Sequence, residues 1–260
     1  KDFWAVKIDA NGGKVWDKRF GGSGEDVCTS VVATSDGGYL LAGYSNSPAG
    51  GDVSEASLGY YDYWAVKIDA NGAKVWDKRF GGNSWEWGSV AVSTPDEGFL
   101  LAGTSHSGVS GDKSEASRGD VDYWAVKIDA NGNKIWDKRF GGSGHDVCND
   151  AVVTTDGGYL LVGNSDSGVG GEKSEASRGN DDFWVVKIDA NGDKVWDKRF
   201  GGSGNERCIA VTTTADGKYL LAGWSKSEAG GDKSQDRRGS RDYWAVKIDA
   251  NGTKIWDKRF

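Results

Sequence analysis

The sequence predicts an all-β fold of stacked, four-stranded antiparallel units, and three observations predict it. The segment Asp-aromatic-Trp-(Ala/Val)-Val-Lys-Ile-Asp-Ala-Asn-Gly-x-Lys-(Val/Ile)-Trp-Asp-Lys-Arg-Phe begins at Asp2, Asp62, Asp122, Asp182 and Asp242, a constant step of 60 residues. A fixed period of that size marks a repeat architecture, in which each unit buries its apolar surface against its neighbours. Second, β-branched and aromatic runs alternate with Gly- and Asp-rich turns, giving two hairpins per period. Third, no apolar stripe at helical spacing occurs. Only two of the 260 residues are Pro, as strands that must donate every ladder hydrogen bond require.

Residues 21–80 illustrate one unit. Gly21-Gly22-Ser23-Gly24 is a flexible link. Val27 to Thr34 reads as a strand, Ser35-Asp36-Gly37-Gly38 as a turn and Tyr39 to Ser45 as a second strand, with Gly supplying the positive φ that such turns need. Ser47 to Tyr61 is a long polar loop. Tyr63 to Ile68 and Lys74 to Phe80 then form a second hairpin around Asp69-Ala70-Asn71-Gly72. Two hairpins and a short passage to the next unit make a propeller blade.

Asp at the first and Gly at the fourth turn position predict a type I turn followed by a glycine bulge. In the first copy that register sets Val6 opposite Trp16, Trp4 opposite Lys18 and Ile8 opposite Lys14, whereas a two-residue Asn-Gly turn would swap these partners. One face then carries Trp4, Val6, Ile8, Trp16 and Phe20, and the other Phe3, Ala5 and Val15 with Lys7, Asp17 and Arg19. Both faces are substantially apolar, as a blade stacked between two others requires.

The organisation expected is therefore an N-terminal hairpin over 1–20, followed by blades over 21–80, 81–140, 141–200 and 201–260. An open or superhelical array of blades is the alternative to a propeller. Either Asp2 to Phe20 is the surplus hairpin, or it completes the last blade and leaves Asp242 to Phe260 over. The two differ only at Phe3/Tyr243, Gly13/Thr253 and Val15/Ile255, so they compete for one edge. Unpaired edges invite strand addition, and self-association through the terminal hairpins is expected.

Composition narrows the function classes. Ten of the 13 Trp lie in the repeated segment, which places the core there. A net charge of −7 with no basic stripe argues against a nucleic-acid partner. No apolar run approaches the roughly 18 residues of a spanning helix, so no membrane insertion is expected. The chain begins at Lys1 and contains no Met, which reads as a processed product. Cys28, Cys148 and Cys208 occupy equivalent positions; they match neither a disulfide framework nor a zinc motif, and are expected to be small buried residues.

The pattern Asp36 to Gly43 (Asp-Gly-Gly-Tyr-Leu-Leu-Ala-Gly), followed by Asp-Tyr-Trp-Ala-Val-Lys-Ile-Asp-Ala-Asn-Gly and Trp-Asp-Lys-Arg-Phe-Gly-Gly, covers the whole chain in copies. It resembles propeller-type repeats of bacterial secreted and cell-surface proteins, many exported by the type IX system. The resemblance implies a β-propeller and an extracellular or cell-surface location, and it implies no chemistry. The C-terminal sorting domain usual in that group is not in this sequence, consistent with a fragment or processed product.

Several motifs tempt a functional reading. Asp-x-Asn-Gly (Asp9, Asn11, Gly12) resembles the start of a calcium loop, but Lys14 follows where further ligands would be needed; hairpin-turn chemistry accounts for it. The loop Gly230 to Gly239 mixes carboxylates with Lys and Arg and reads as self-satisfied. No metal or cofactor is predicted, calcium included. Arg118-Gly119-Asp120 has the equivalents Leu58-Gly59-Tyr60, Arg178-Gly179-Asn180 and Arg238-Gly239-Ser240, so it reads as drift rather than an integrin motif.

Divergence between near-identical units is more informative, because the scaffold is not dictating those residues. The end of the second strand reads Tyr44, Thr104, Asn164, Trp224, then Asn46, His106, Asp166, Lys226. The turn into the first strand reads Glu25-Asp26-Val27, Trp85-Glu86-Trp87, His145-Asp146-Val147, Asn205-Glu206-Arg207. Trp85, Trp87, Trp224, Tyr44, His106 and Asp166 are the candidate ligand-binding residues: aromatics stack on sugar rings while Asp and His take hydroxyls. Neutral surface variation is the competing account. The expected function is a non-enzymatic extracellular scaffold, adhesion or assembly module with a glycan or cell-surface partner; a carbohydrate-binding propeller is the alternative. A glycosidase using Glu25, Glu86, Asp146 or Glu206 is a third reading, and nothing in the sequence sets two carboxylates at a defined separation.

Overall fold

The computed structural model describes residues 1–260, the side chain of Ser89 excepted. Eighteen strands occur and no helix among the described residues. β1 (Phe3–Ile8) and β2 (Lys14–Phe20) form a two-stranded sheet. Four-stranded antiparallel sheets follow, each in chain order. The first is β3 (Asp26–Ala33), β4 (Tyr39–Ser45), β5 (Asp62–Ile68) and β6 (Lys74–Phe80). The second is β7 (Glu86–Ser93), β8 (Phe99–Ser105), β9 (Asp122–Ile128) and β10 (Lys134–Phe140). The third is β11 (Asp146–Val153), β12 (Tyr159–Ser165), β13 (Asp182–Ile188) and β14 (Lys194–Phe200). The last is β15 (Glu206–Thr213), β16 (Tyr219–Ser225), β17 (Asp242–Ile248) and β18 (Lys254–Arg259). The fold is thus all-β, four complete blades and one extra hairpin. That hairpin is the N-terminal one, since β17 and β18 complete the last sheet.

The chain falls into two compact units. One comprises Lys1–Leu101, Ser105–Ala116 and Ala125–Asp137; the other comprises Ala102–Thr104, Ser117–Trp124 and Lys138–Phe260.

The turn chemistry explains the second hairpin of each sheet. In the first copy the Gly12 amide donates to the Asp9 carbonyl, and Gly12 takes φ 82°, a conformation that costs a residue without Cβ little. The Asp9 carboxylate accepts the amides of Asn11 and Gly13, so the calcium-like motif spends its oxygen on the turn. Ile8 pairs with Lys14 as expected, but a bulge follows and moves the remaining partners by one: Lys7 faces Trp16, Val6 faces Asp17 and Trp4 faces Arg19. The expected pairs Val6–Trp16 and Trp4–Lys18 are therefore corrected. The extra residue carries Trp16 and Phe20 to the face of Phe3, and Asp17 and Arg19 to the face of Trp4.

This one-residue shift creates the core. Each sheet has a front face, with Tyr, Leu, Trp, Val and Ile, and a back face with Phe or Tyr, Ala or Val, and the terminal Phe. In the N-terminal unit Phe3 and Phe20 pack on Leu41, Trp64, Val66 and Ile68, with Ala5, Trp16 and Tyr39 beside them. In the other unit the back face of the third sheet (Leu160, Val162, Phe183, Val185, Phe200) packs on the front face of the last (Cys208, Val211, Tyr219, Leu221, Trp244, Val246, Ile248). In the four-stranded sheets a Gly stands opposite the front Trp, as Gly163 does opposite Trp184, and a Cβ at Gly163 would strike the Val147 carbonyl.

Charged groups are bonded inside this stack. The Trp64 indole donates to Asp77, which also accepts Lys74 and the Ser54 amide. Arg79 reaches Asp62 at 3.0 Å and the Ser45 and Ser47 oxygens. At the opposite end of the strands, Lys67 and Lys187 donate to the hairpin-turn carboxylates of Asp36 and Asp156.

Cysteine burial departs from expectation at one position. Cys148 and Cys208 are buried, while Cys28 is exposed, because the sheet before it has only two strands and none of the β3 or β4 type to cover it.

Two predictions follow from packing and charge. Trp184 is fully buried, 4.8 Å from the Tyr123 ring, so Trp184→Ala is expected to cost about 3–5 kcal/mol. Trp4, in the same sequence context, is 70 % exposed, and Trp4→Ala is expected to cost less than about 1 kcal/mol. Urea unfolding of both variants measures this, and equal losses would mean that neighbour contact is not what stabilises the indole. The Asp156 carboxyl is held down to about 2, below its ordinary 3.8, by the Thr154 hydroxyl, with Lys187 adding to this against partial burial. A depressed carboxyl stabilises above the unfolded value and loses that contribution as pH falls. The gap in unfolding midpoint between wild type and Asp156→Asn should therefore shrink as pH drops from about 5 to about 2; a gap independent of pH refutes the assignment.

Candidate functional site

The residues that differ most between repeats converge in the N-terminal unit. The end of β4 carries Tyr44, the loop before β5 ends in Tyr60 and Tyr61, and Trp85 and Trp87 flank the start of β7. His106 follows β8. Backbone bonds hold these segments side by side. Tyr61 and Trp85 form a parallel bridge, the Glu86 amide donates to the Tyr61 carbonyl, and the His106 amide donates to the Trp85 carbonyl. The side chains are thus fixed by chain passages common to every repeat, while their chemistry belongs to this seam alone.

The six rings form a continuous cluster. Tyr44 meets Tyr61 edge-on at 5.4 Å, and Tyr60 lies 5.4 Å from Trp85 with planes 35° apart. Trp85 meets Trp87 at 5.6 Å, and Trp87 meets His106 at 5.3 Å. Tyr60 and Trp85 keep 66 % and 41 % of their surface open to solvent, whereas the other four are half-buried beneath them. Grouped apolar rings at a surface are a feature of interaction sites, whereas single exposed ones are ordinary.

A polar rim adjoins the rings. The Tyr61 hydroxyl donates to Glu25 at 2.7 Å, and the Lys1 ammonium donates to the other Glu25 oxygen. The Glu25 bond, followed by burial, pushes the Tyr61 hydroxyl up to about 12. Lys1 and then Tyr61 hold the Glu25 carboxyl below its ordinary value. At neutral pH the rim therefore presents an ionised carboxylate, bonded by the Tyr61 hydroxyl and the Lys1 ammonium, next to exposed ring faces.

The structure thus joins four of the candidate residues, Tyr44, Trp85, Trp87 and His106. Tyr60, Tyr61 and Glu25 complete the cluster without having been among them. The same divergence was visible there, since positions 60–61 read Tyr-Tyr, Asp-Val, Asn-Asp and Ser-Arg in successive repeats. Trp224 and Asp166 lie in the other unit, each in its own surroundings. Trp224 is ringed by cations, with Arg241, Lys226 and Arg207 at 4.8, 5.7 and 5.8 Å. The Asp166 carboxylate accepts the His145 amide and so serves its own turn.

The other motifs resolve locally. Arg118 pairs with Glu172 and Asp120 with His145, so both charged ends of Arg118-Gly119-Asp120 are engaged within their unit. Glu86 and Glu206 are fully buried; each accepts two serine hydroxyls and a glycine amide. Burial pushes the Glu86 carboxyl up against those donors. These carboxylates tie the passage between sheets to the loop after the second strand.

No family model matches the chain. A curated relative, the regulatory protein FlaEY of Caulobacter vibrioides, is 23 % identical over 268 residues, covering 95 % of this chain and 28 % of its own length. The chain therefore spans under a third of that relative. Among solved structures, a Bacteroides caccae protein of unknown function aligns over all of this chain and 94 % of its own, at 13 % identity and a TM-score of 0.44. The hydrazine synthase of Kuenenia stuttgartiensis aligns over 90 % and 49 % of the two chains, at 13 % identity and a TM-score of 0.47. The apocarotenoid oxygenase of Synechocystis aligns over 98 % and 55 %, at 11 % identity and a TM-score of 0.48.

Proposed function

We propose that this chain is a non-enzymatic repeat scaffold that works outside the cell or at its surface and holds an adhesion partner on the aromatic cluster at the β4–β7 seam. One observation carries the reading: sheets of nearly constant sequence support a patch that varies from repeat to repeat, and at the seam of the first two repeats the variation gathers six aromatic rings with two of them exposed. The extracellular setting rests on the likeness of the repeat to those of secreted bacterial proteins. Of the carboxylates that a glycosidase would recruit, Glu86, Asp146 and Glu206 are enclosed and bonded to serines, which favours a structural role for them, and Glu25 alone lies at the rim of the cluster.

A second reading, that the partner is a glycan, is favoured by the Tyr60–Trp85 pair. Both rings keep surface open to solvent, on which a pyranose can lay its C–H face, and the Glu25 carboxylate beside them has lone pairs that can accept from sugar hydroxyls. Glycan-array screening followed by titration of Trp fluorescence is expected to find a ligand whose affinity falls at least tenfold, about 1.4 kcal/mol, in Trp85→Ala. Silence across the array would eliminate the glycan and leave a protein partner; a ligand bound equally well by Trp85→Ala would remove the patch as its site.

A further inference from the structure

Each long loop carries an acidic residue directly after a Gly, and the repeats differ in what meets it. In the second unit, Glu172 takes Arg118 at 2.9 Å and Arg139 at 2.7 Å, and Asp232 takes Arg178 at 2.7 Å and Arg199 at 3.1 Å. Asp112 holds that position in the N-terminal unit and takes neither arginine; its carboxylate accepts the Gly81 amide at 3.3 Å. Two residues account for the difference. Leu58 stands where the later repeats have Arg118 and Arg178, and Val53 stands where they have Lys113, Lys173 and Lys233. Lys113 and Lys233 donate to the carbonyls of Ser107 and Ser227. Val53 cannot, so Arg79 donates to the equivalent Ser47 carbonyl and pairs with Asp62, and is lost to Asp112. Leu58 copies the other arginine only as far as Cδ. A Cβ placed on Gly111 would lie 3.2 Å from Leu58 Cδ1, and one placed on Gly171 or Gly231 would lie 3.2 Å from the Cδ of Arg118 or Arg178. No group of the chain continues to where the guanidinium would be. Leu58 and Asp112 instead line a cavity of about 560 Å³ together with Glu55, Lys78 and Lys134. Burial pushes the Asp112 carboxyl above its ordinary value, against the Gly81 amide and the Lys134 charge.

We propose that this cavity binds the guanidinium of an arginine on a partner polypeptide, with the Asp112 carboxylate and the Gly81 carbonyl as acceptors. The inference deepens the scaffold reading, on which it rests, by giving the partner a chemistry; Leu58 is two residues from Tyr60, an exposed ring of the aromatic cluster. The chain itself shows the bonds such a group makes. Arg178 donates to the Asp232 carboxylate and, at 3.3 Å, to the Gly201 carbonyl. Gly81 is the equivalent of Gly201, and its carbonyl accepts the Asp112 amide as that of Gly201 accepts the Asp232 amide, which leaves one lone pair for the ligand in both places. The cations that line the cavity do not oppose a further one. Lys78 and Lys134 are held by Glu55 and Asp137, and their equivalents Lys198 and Lys254, held by Glu175 and Asp257, tolerate Arg178 on Asp232. A planar fork of donors meets carboxylate and carbonyl together and is more weakly hydrated than an ammonium. Leu58, 46 % exposed, offers an apolar wall to the aliphatic stem.

The test titrates the isotope-labelled full chain with a blocked tripeptide, arginine between two alanines, and follows the amide resonances of Gly81 and Asp112. A saturable shift of both is expected. The neutral citrulline counterpart should bind at least tenfold more weakly, and Asp112→Asn should weaken the arginine peptide at least tenfold. Leu58→Arg fills the site from within the chain and is expected to weaken it as much. That variant installs a side chain the repeat already accepts at Arg118 and Arg178, so it decides the question should Asp112→Asn fail to fold. Absence of a shift at tens of millimolar peptide, equal binding of a lysine counterpart, or undiminished binding by Leu58→Arg or a folded Asp112→Asn chain overturns the site. Trp85→Ala separates this inference from the aromatic cluster: it removes the ligand of the cluster and leaves the tripeptide bound, so the two readings fail separately.

Discussion

Between successive sheets within each unit, the tryptophan of the third strand lies against the aromatic residue that precedes the equivalent tryptophan one repeat earlier. The ring centres of Phe3 and Trp64, Tyr123 and Trp184, and Phe183 and Trp244 are 4.7, 4.8 and 4.9 Å apart, with planes tilted by 53–55°. Constant spacing and tilt mean that one packing solution is reused, and that each indole is stabilised by a neighbouring sheet rather than by its own. The consequence is seen at the margins. Trp4, with no sheet in front of it, and Tyr243, with none behind, are 70 % and 76 % exposed, although the same residue types are buried elsewhere.

A stack of this kind must also dispose of the polar groups its strands bring along. It does so with bonds repeated at both ends of each sheet. Lysines on the third strand clamp hairpin-turn aspartates at one end; at the other, buried carboxylates gather serine hydroxyls and glycine amides. Breaking one partner of such a buried set leaves an uncompensated charge. The residues that look most catalytic in a list, Glu86 and Glu206, are therefore the ones most committed to holding the loops, and those loops in turn position the aromatic cluster. Function is left to the residues the clamps do not use.

Much of this was legible from residue order. The period, the two hairpins per period and the Gly-assisted turns follow from local chemistry, because a turn such as Asp9 to Gly12 is built from contacts within five residues. The hairpin register was legible only up to Ile8–Lys14. Beyond it a bulge moves the partners by one in the copies at β1, β5, β13 and β17, and the turn residues alone left two registers open. The candidate site was half visible. Repeat divergence pointed to Tyr44, Glu25, Trp85, Trp87 and His106, but equally to Trp224 and Asp166, which lie apart from them, and it passed over Tyr60 and Tyr61. Position along the chain ranks these residues alike, whereas spatial convergence does not.

The sequence by itself thus determined that this is a repeat of four-stranded antiparallel sheets with tryptophan-rich faces, because alternation and turn-forming residues act over a few positions. Only the tertiary structure decided which hairpin stands alone, which of three equivalent cysteines is open to solvent, and which variable residues share a surface. Those outcomes depend on whether a neighbouring sheet covers a given face, and identical residues acquire different fates when one has a neighbour and another has none.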